Sequence, residues 1–250
     1  MLLHAFPFSR DIWSGVDGSG DLVAALEPSF RVISVDARGF GESSLRAIEG
    51  SSAPYALTDL ADDLAALLDA LELRRTALLG MSMGGYTALA FAARHAARLS
   101  ALVLADTRAA SDSPETHAKR DEALSVVHGR GGAAYLDGSL ARMLSPGAPA
   151  ELHAQVRARA EARDDSLVAA IEALRDRPDR TAELGAIACP TLVICGAQDQ
   201  ITPAAEMRRM SEGIGGARYV ELPGAGHLAH LEAPQPFAAA VTTFLAEAAS

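Results

Sequence analysis

Leu78-Leu79-Gly80-Met81-Ser82-Met83-Gly84-Gly85 is the stretch from which the rest of the chain is read. The residues before it, Thr76 to Leu79, are apolar enough for a short buried strand. Those after it, Tyr86 to Arg94, are rich in Ala and Leu and read as a helix. Between the two lies G-x-S-x-G, with Ser82 at its centre. In that setting the pattern is a nucleophile elbow, a strand-to-helix turn so tight that glycines must flank the serine. Such a turn lifts the hydroxyl clear of a sheet and aims the first amides of the next helix at it. Met83 N–H is the first of these and is placed to stabilise an oxyanion. Gly and Ser are common, so the motif alone also fits a glycine-rich loop without chemistry. What the other strands carry decides between the two.

Composition sets the bounds. A length of 250 residues suits one α/β domain or a core with an insertion, and 49% hydrophobic residues supply a large core. The formal net charge of −10 argues against a nucleic-acid partner. No apolar stretch approaches the ~18 residues of a membrane span. Met1 to Arg10 lacks the basic start and apolar run of a secretion signal. Cys189 and Cys195 bracket one extended segment spanning about 20 Å, too far for a disulfide between them. Both read as reduced thiols, which implies a cytoplasmic protein.

Taken from the start, Leu2 to Pro7 reads as a strand end running into a loop. Arg31 to Val35 is β-branched and alternating, and it ends in Asp36-Ala37-Arg38-Gly39-Phe40-Gly41-Glu42-Ser43. That loop lacks the G-x-G-x-x-G spacing of a phosphate cradle. Thr58 is the expected cap of a helix whose Leu60, Leu64, Leu67, Leu68 and Leu71 share one face. Ala101 to Ala105 is a further strand, ending at Asp106. Strand and helix thus alternate, and right-handed crossovers then give a parallel sheet with helices on both faces. From Arg108 to about Leu184 strand signals stop. Helices are predicted near Thr116–Val127, Ala133–Met143, Ala150–Ala162 and Ser166–Arg175, with Arg and Glu on faces that read as solvated. Strands return at Thr191–Cys195 and Arg218–Leu222, and a helix near Phe237–Ala248 closes the chain. The expected fold is therefore α/β, a mostly parallel sheet with an inserted helical cap. Residues 1–107 and 185–250 form the core and 108–184 the cap.

A serine is a weak nucleophile until a base takes its proton, and the base is commonly a histidine oriented by a carboxylate. In such sheets the functional loops lie at the carboxyl ends of strands. Gly196-Ala197-Gln198-Asp199 follows one late strand and Gly224-Ala225-Gly226-His227 follows the next. Ser82, Asp199, His227 is the chain order nucleophile, acid, base.

With these motifs, and with His4-Ala5-Phe6-Pro7 and the Asp36–Ser43 loop, the chain resembles the α/β-hydrolase fold superfamily over essentially its whole length, specifically a small capped serine hydrolase. The resemblance implies that Phe6 N–H is the second oxyanion donor beside Met83. It departs from the family at Ala5, where His-Gly is usual. It departs again at the N-terminus, where only Met1-Leu2-Leu3 precede the loop and strands, a central one included, are expected to be missing or shortened. Some relatives take the acid from the position of Asp106; the Gly-x-x-Asp loop favours Asp199. His230 is expected at a surface or rim, His4 within its loop's hydrogen bonds, and Asp36 and Arg38 as a structural pair. His117, His128 and His153 lack metal-ligand spacing, so neither a metal nor a cofactor is expected. Phe6, Trp13, Met81, Met83 and Tyr86 are candidate apolar walls of a pocket between core and cap, and no cationic motif marks an acid-binding subsite. The expectation is a Ser-His-Asp hydrolase of a small carboxylic ester or lactone, resembling carboxylesterases, enol-lactonases and acyl-homoserine lactonases. The alternatives are a hydrolase-fold signal-binding protein with slow or no turnover, and a cofactor-free perhydrolase or haloperoxidase-like activity.

Overall fold

Side chains along a strand point alternately to the two faces of a sheet, and in this chain both faces are apolar. The computed structural model, which describes residues 1–15, 21–45 and 55–249, shows the result. In chain order the elements are β1 (Leu2–Leu3), α1 (Leu22–Leu26), β2 (Ser34–Val35), α2 (Leu57–Ala70), β3 (Thr76–Met81), α3 (Met83–His95), β4 (Leu99–Ala105), α4 (Pro114–Ser139), α5 (Ala150–Arg159), α6 (Asp164–Arg175), β5 (Thr191–Gly196), α7 (Ala204–Glu212), β6 (Arg218–Leu222), α8 (Ala229–Glu232) and α9 (Pro234–Ala248). The strands form one parallel sheet in the order β2-β1-β3-β4-β5-β6.

Alternation sorts the core into two layers. Leu79, Met81, Val103 and Ile194 cluster with Leu22 of α1 and with Phe237 and Phe244 of α9. Their neighbours Leu78, Leu102, Leu104 and Val193 cluster with Leu64 and Leu68 of α2, Phe91 of α3 and Met207 of α7. Helices therefore cover both faces, as the sequence pattern predicts. At the start of α2 the prediction needs correcting: Ala56 is the cap residue, and Asp59 rather than Thr58 closes the turn by accepting Ala56 N–H at 2.8 Å.

At the N-terminus the strand is shortened, as expected: β1 is only two residues long, and it lies inside the sheet between the edge strand β2 and β3. Leu2 lies opposite both Ser34 and Leu79; its N–H donates to Ile33 O at 2.9 Å, and Leu79 N–H donates to Met1 O at 2.9 Å. The strand is short, yet the backbone groups on either side of it are paired, as burial demands. The connections reverse direction at the β1–β3 pair, and a sheet of this kind opens its crevice at such a point, outside the carboxyl ends of the strands. Ser82 follows β3 and Phe6 follows β1.

Between β4 and β5 the described residues form only helices and turns. Gly131, at φ 82°, breaks α4 in two within the glycine run that the sequence marks as punctuation. Leu124 and Leu136 of α4 and Leu167 and Ile171 of α6 share an apolar cluster with Phe6 and Met83. The helical block is thereby held against the loops that carry Ser82.

Candidate active site

Ser82 adopts φ 51° and ψ −113°, a backbone conformation that a residue with a side chain holds only under constraint. The constraint is visible. Ser82 N–H donates to Ala105 O at 2.9 Å, and Ser82 O accepts from Gly85 N–H at 2.9 Å, Tyr86 N–H at 3.1 Å and the Thr107 hydroxyl at 2.9 Å. A Cβ on Gly80 would collide with Gly84 O, and one on Gly84 would collide with Leu3 O. The second closeness sets the end of β1 against the start of α3. The Phe6 and Met83 amides thus come from adjacent loops, and Met83, as the first residue of α3, has no intrahelical acceptor for its N–H.

The Ser82 hydroxyl lies 2.8 Å from His227 Nε2, and His227 Nδ1 lies 2.7 Å from Asp199 Oδ2. An ionised carboxylate only accepts, so the ring proton sits on Nδ1 and Nε2 is left to accept from the hydroxyl. Asp199 is itself fixed: Oδ1 accepts from Ile201 N–H at 2.7 Å and Thr202 N–H at 3.0 Å, and Oδ2 accepts from the Thr202 hydroxyl at 2.6 Å. Burial works against its charge, but His227 and then the Thr202 bonds outweigh burial and hold the carboxyl below its usual range.

Asp106, the competing acid, has no bond to His227. It is completely buried, its Oδ1 accepts Gly196 N–H at 2.8 Å, and its Oδ2 has no partner. Burial, with the nearby charge of Asp199 added, raises its pKa well above the usual carboxylate value, which favours the neutral form.

A cavity of about 660 Å³ opens over Ser82 and His227, a size common for small-molecule sites. Phe6 and Tyr86 line it from the core, and Ala123, Tyr135, Met143 and Leu174 from the helical block.

With this geometry in view, comparison with known proteins gives the family. The chain belongs to the Alpha/beta hydrolase family, whose model matches residues 1–240. RutD of a Caulobacter species, named as a carbamate hydrolase, is 32% identical over 248 residues, 93% of this chain and 88% of that protein. The 3-oxoadipate enol-lactonase 2 of Acinetobacter baylyi is 28% identical over 241 residues, 95% of this chain and 86% of the relative. Among solved structures, a malate-bound thermophilic esterase from Thermogutta terrifontis superposes with a TM-score of 0.89 at 33% identity, over 100% of this chain and 89% of that one. The enol-lactonase from Burkholderia xenovorans gives 0.86 at 31% identity, over 98% and 90% of the two chains. The protein is thus a hydrolase of the α/β-hydrolase fold, a fold that takes small-molecule substrates.

Several residues sit elsewhere than this hydrolase's sequence suggests. Trp13 and Met81 have no exposed surface and do not line the cavity. Met81 belongs to the apolar cluster that also holds Phe237 and Phe244 of α9, and the Trp13 and His230 rings meet at a tilt of 51° with centres 5.0 Å apart. Met83 is buried in the apolar cluster with Phe6 and does not line the cavity; it borders a separate crevice with Leu3 and Thr87. His230 is a core residue, not a rim residue: Nε2 donates to Ile12 O at 3.0 Å, Nδ1 is buried without a partner, and burial pushes its pKa down to about 4. Asp36 pairs with Arg10 at 3.1 Å and Arg38 with Asp63 at 2.5 Å, so the two do not pair with each other. His4 organises its loop as expected, accepting Ala37 N–H on Nε2 at 2.9 Å.

Two supporting residues escape the sequence reading. Thr202 locks Asp199, and the signal was a hydroxyl three residues after the acid. Glu232 accepts Gly226 N–H at 2.7 Å and Ser145 N–H at 2.9 Å, tying the His227 loop to the helical block. Also unforeseen is the cavity's charge: five basic side chains and three acidic ones line it.

Proposed function

We propose that this hydrolase cleaves a small carboxylic ester or lactone through an acyl-enzyme on Ser82. The observation that carries the reading is the continuous hydrogen-bonded chain from Ser82 Oγ through His227 to Asp199, at the mouth of a cavity of substrate size. Ser82 Oγ attacks the carbonyl carbon while His227 Nε2 takes the hydroxyl proton. Asp199 stabilises the imidazolium that forms. The amides of Met83 and Phe6 hold the oxyanion; one such donor is worth on the order of 10²–10³ in kcat. As the intermediate collapses, His227 returns the proton to the leaving alkoxide, which in a lactone stays tethered to the acyl group. Water, deprotonated by His227, then releases the acid and restores Ser82.

Residues 108–184 serve in this reading as a lid that excludes water and selects the substrate by shape. A cytoplasmic setting belongs to the same proposal: Cys189 and Cys195 form no disulfide, and no described helix is long and apolar enough to cross a membrane. A carbamate offers the same attacked carbonyl, and the relatives named for carbamate hydrolysis make it the second class to assay.

The test is Ser82→Ala, assayed on p-nitrophenyl esters, lactones and carbamates. Turnover is expected to vanish while the melting temperature holds, and a fluorophosphonate should label the wild-type protein at Ser82. Residual full activity, or labelling at another residue, would remove Ser82 from the mechanism.

A further inference from the structure

Mixed charge on the helical block reads, in the sequence, as solvated helix faces. The structure instead turns part of that charge inward. Asp112, whose side chain is only 1% exposed, receives three guanidiniums: Arg108 Nη2 at 3.0 Å, Arg120 Nε at 3.1 Å and Arg177 Nη2 at 2.7 Å. Glu206 lies 3.3 Å from Arg108 Nη1, and the charge of Asp179 also acts on Arg177. Around the cavity itself five basic side chains face three carboxylates, so positive charge is in excess there. Arg108 Nε is buried with no acceptor at all. Arg108 and Arg120 both line the cavity that holds Ser82 and His227.

The rest of the lining does not cancel this excess. Lys119 is matched by Glu115 at 2.8 Å and Glu122 also lines the cavity, but Arg130 and Arg142 form no ion pair among the described residues. A chain of net charge −10 therefore collects positive charge at the cavity over its candidate nucleophile. Half-buried arginine is expensive to keep dehydrated unless something anionic completes its bonds. A planar guanidinium fork matches a carboxylate.

We propose that the Arg108–Arg120 wall binds a carboxylate on the substrate, so the preferred substrate is an ester or lactone whose far end is anionic. The inference rests on the hydrolytic reading of Ser82. Asp112 is then the positioning residue that holds both arginines toward the cavity.

The experiment compares mono-p-nitrophenyl adipate with p-nitrophenyl hexanoate, two esters of equal acyl length that differ in the terminal carboxylate. The wild-type protein is expected to favour the anionic ester in kcat/KM by about tenfold or more, chiefly through KM. The preference should shrink several-fold at about 0.5 M salt, where exposed charges are screened. Arg120→Gln should lower the anionic-to-neutral ratio by about 10- to 100-fold, and Arg120→Lys should restore part of it. Calorimetric titration with adipate and with inorganic phosphate gives a readout independent of turnover. Adipate binding that weakens in Arg120→Gln supports the subsite even if neither ester is hydrolysed, in which case the hydrolytic reading fails alone. Tighter binding of phosphate than of adipate overturns the carboxylate assignment. An equal rate on the two esters, together with adipate binding indifferent to Arg120 and to salt, overturns the subsite. Should Arg120→Gln not fold, the salt dependence of the wild-type ratio decides.

Discussion

Two carboxylates lie near the end of the sheet, and their surroundings give them opposite states. Asp199 collects donors from Ile201 and Thr202 and faces His227, so it stays charged. Asp106 is fully buried beside the charged Asp199, and this outweighs the backbone donors Gly196 and Ala229 and favours its neutral form. Asp199→Asn should therefore reverse the donor-acceptor match at His227 Nδ1 and lower kcat on the order of 10⁴, the scale seen where the orienting carboxylate of such a triad becomes an amide. Asp106→Asn keeps the neutral form's shape and should change kcat by less than about tenfold, since no bond joins Asp106 to His227. Steady-state kinetics on one ester checks both, and the opposite ranking would move the acid to the earlier strand. Asp199 and His227 were legible because each follows a strand in a glycine-bearing loop. Thr202 and Glu232 were not, since a hydroxyl or a carboxylate a few residues from a motif is common and its partner is a backbone amide that no pattern names.

Among the elements, the elbow depends on how closely α3 approaches β1. Gly84 touches Leu3 O without room for a methyl group, so Gly84→Ala must push the helix start away from the β1 loop. Overpacking of this kind costs about 1–3 kcal/mol. It should also separate the Met83 and Phe6 amides, and kcat should fall by one to two orders of magnitude if both amides hold the oxyanion. Thermal melting and kcat of this variant measure the two consequences separately. A variant that loses stability but keeps kcat would show that Phe6 N–H takes no part. Most strands and helices were legible: Arg218–Leu222 forms over the expected residues and Thr76–Leu79 only lengthens to Met81, whereas of the expected Arg31–Val35 only Ser34–Val35 forms a strand. What escaped was orientation. Periodicity gives a helix its polar face but not what that face meets, so the inward arginines of the helical block read as solvated. Likewise, Leu2 to Pro7 reads as a strand end but carries no signal of where in the sheet it lies; only pairing with β2 and β3 makes Leu2–Leu3 an interior strand.

At the scale of the whole molecule, the buried titrating groups set how stability responds to acid, and they act in opposite senses. His230 is neutral in the fold with its pKa pushed to about 4 by burial, below the ordinary 6.5 that it regains on unfolding. Between those values the unfolded chain binds more protons, so stability falls as pH falls, by about 1.4 kcal/mol per pH unit and on the order of 3 kcal/mol across the window. His4 adds to this, its pKa lowered mainly by burial, since a proton on Nε2 would confront the Ala37 N–H. Asp106 runs the other way. Its folded pKa stands well above the ordinary 3.8, so above that value the folded state holds the extra proton and stability is lost as pH rises. Where the windows overlap, Asp106 opposes the two histidines, so the wild-type curve should be shallower there than it would be without Asp106. Asp106→Asn removes the opposing term. Above pH 3.8 it should gain stability relative to the wild type as pH rises and lose that gain on acidification, with a slope steeper by up to about one proton, or about 1.4 kcal/mol per pH unit. His230→Gln, which keeps a donor for Ile12 O, should shift the slope by one proton in the contrary direction. Urea unfolding at a series of pH values yields both slopes; an Asp106→Asn curve parallel to that of the wild type would mean that Asp106 is ionised in the folded protein.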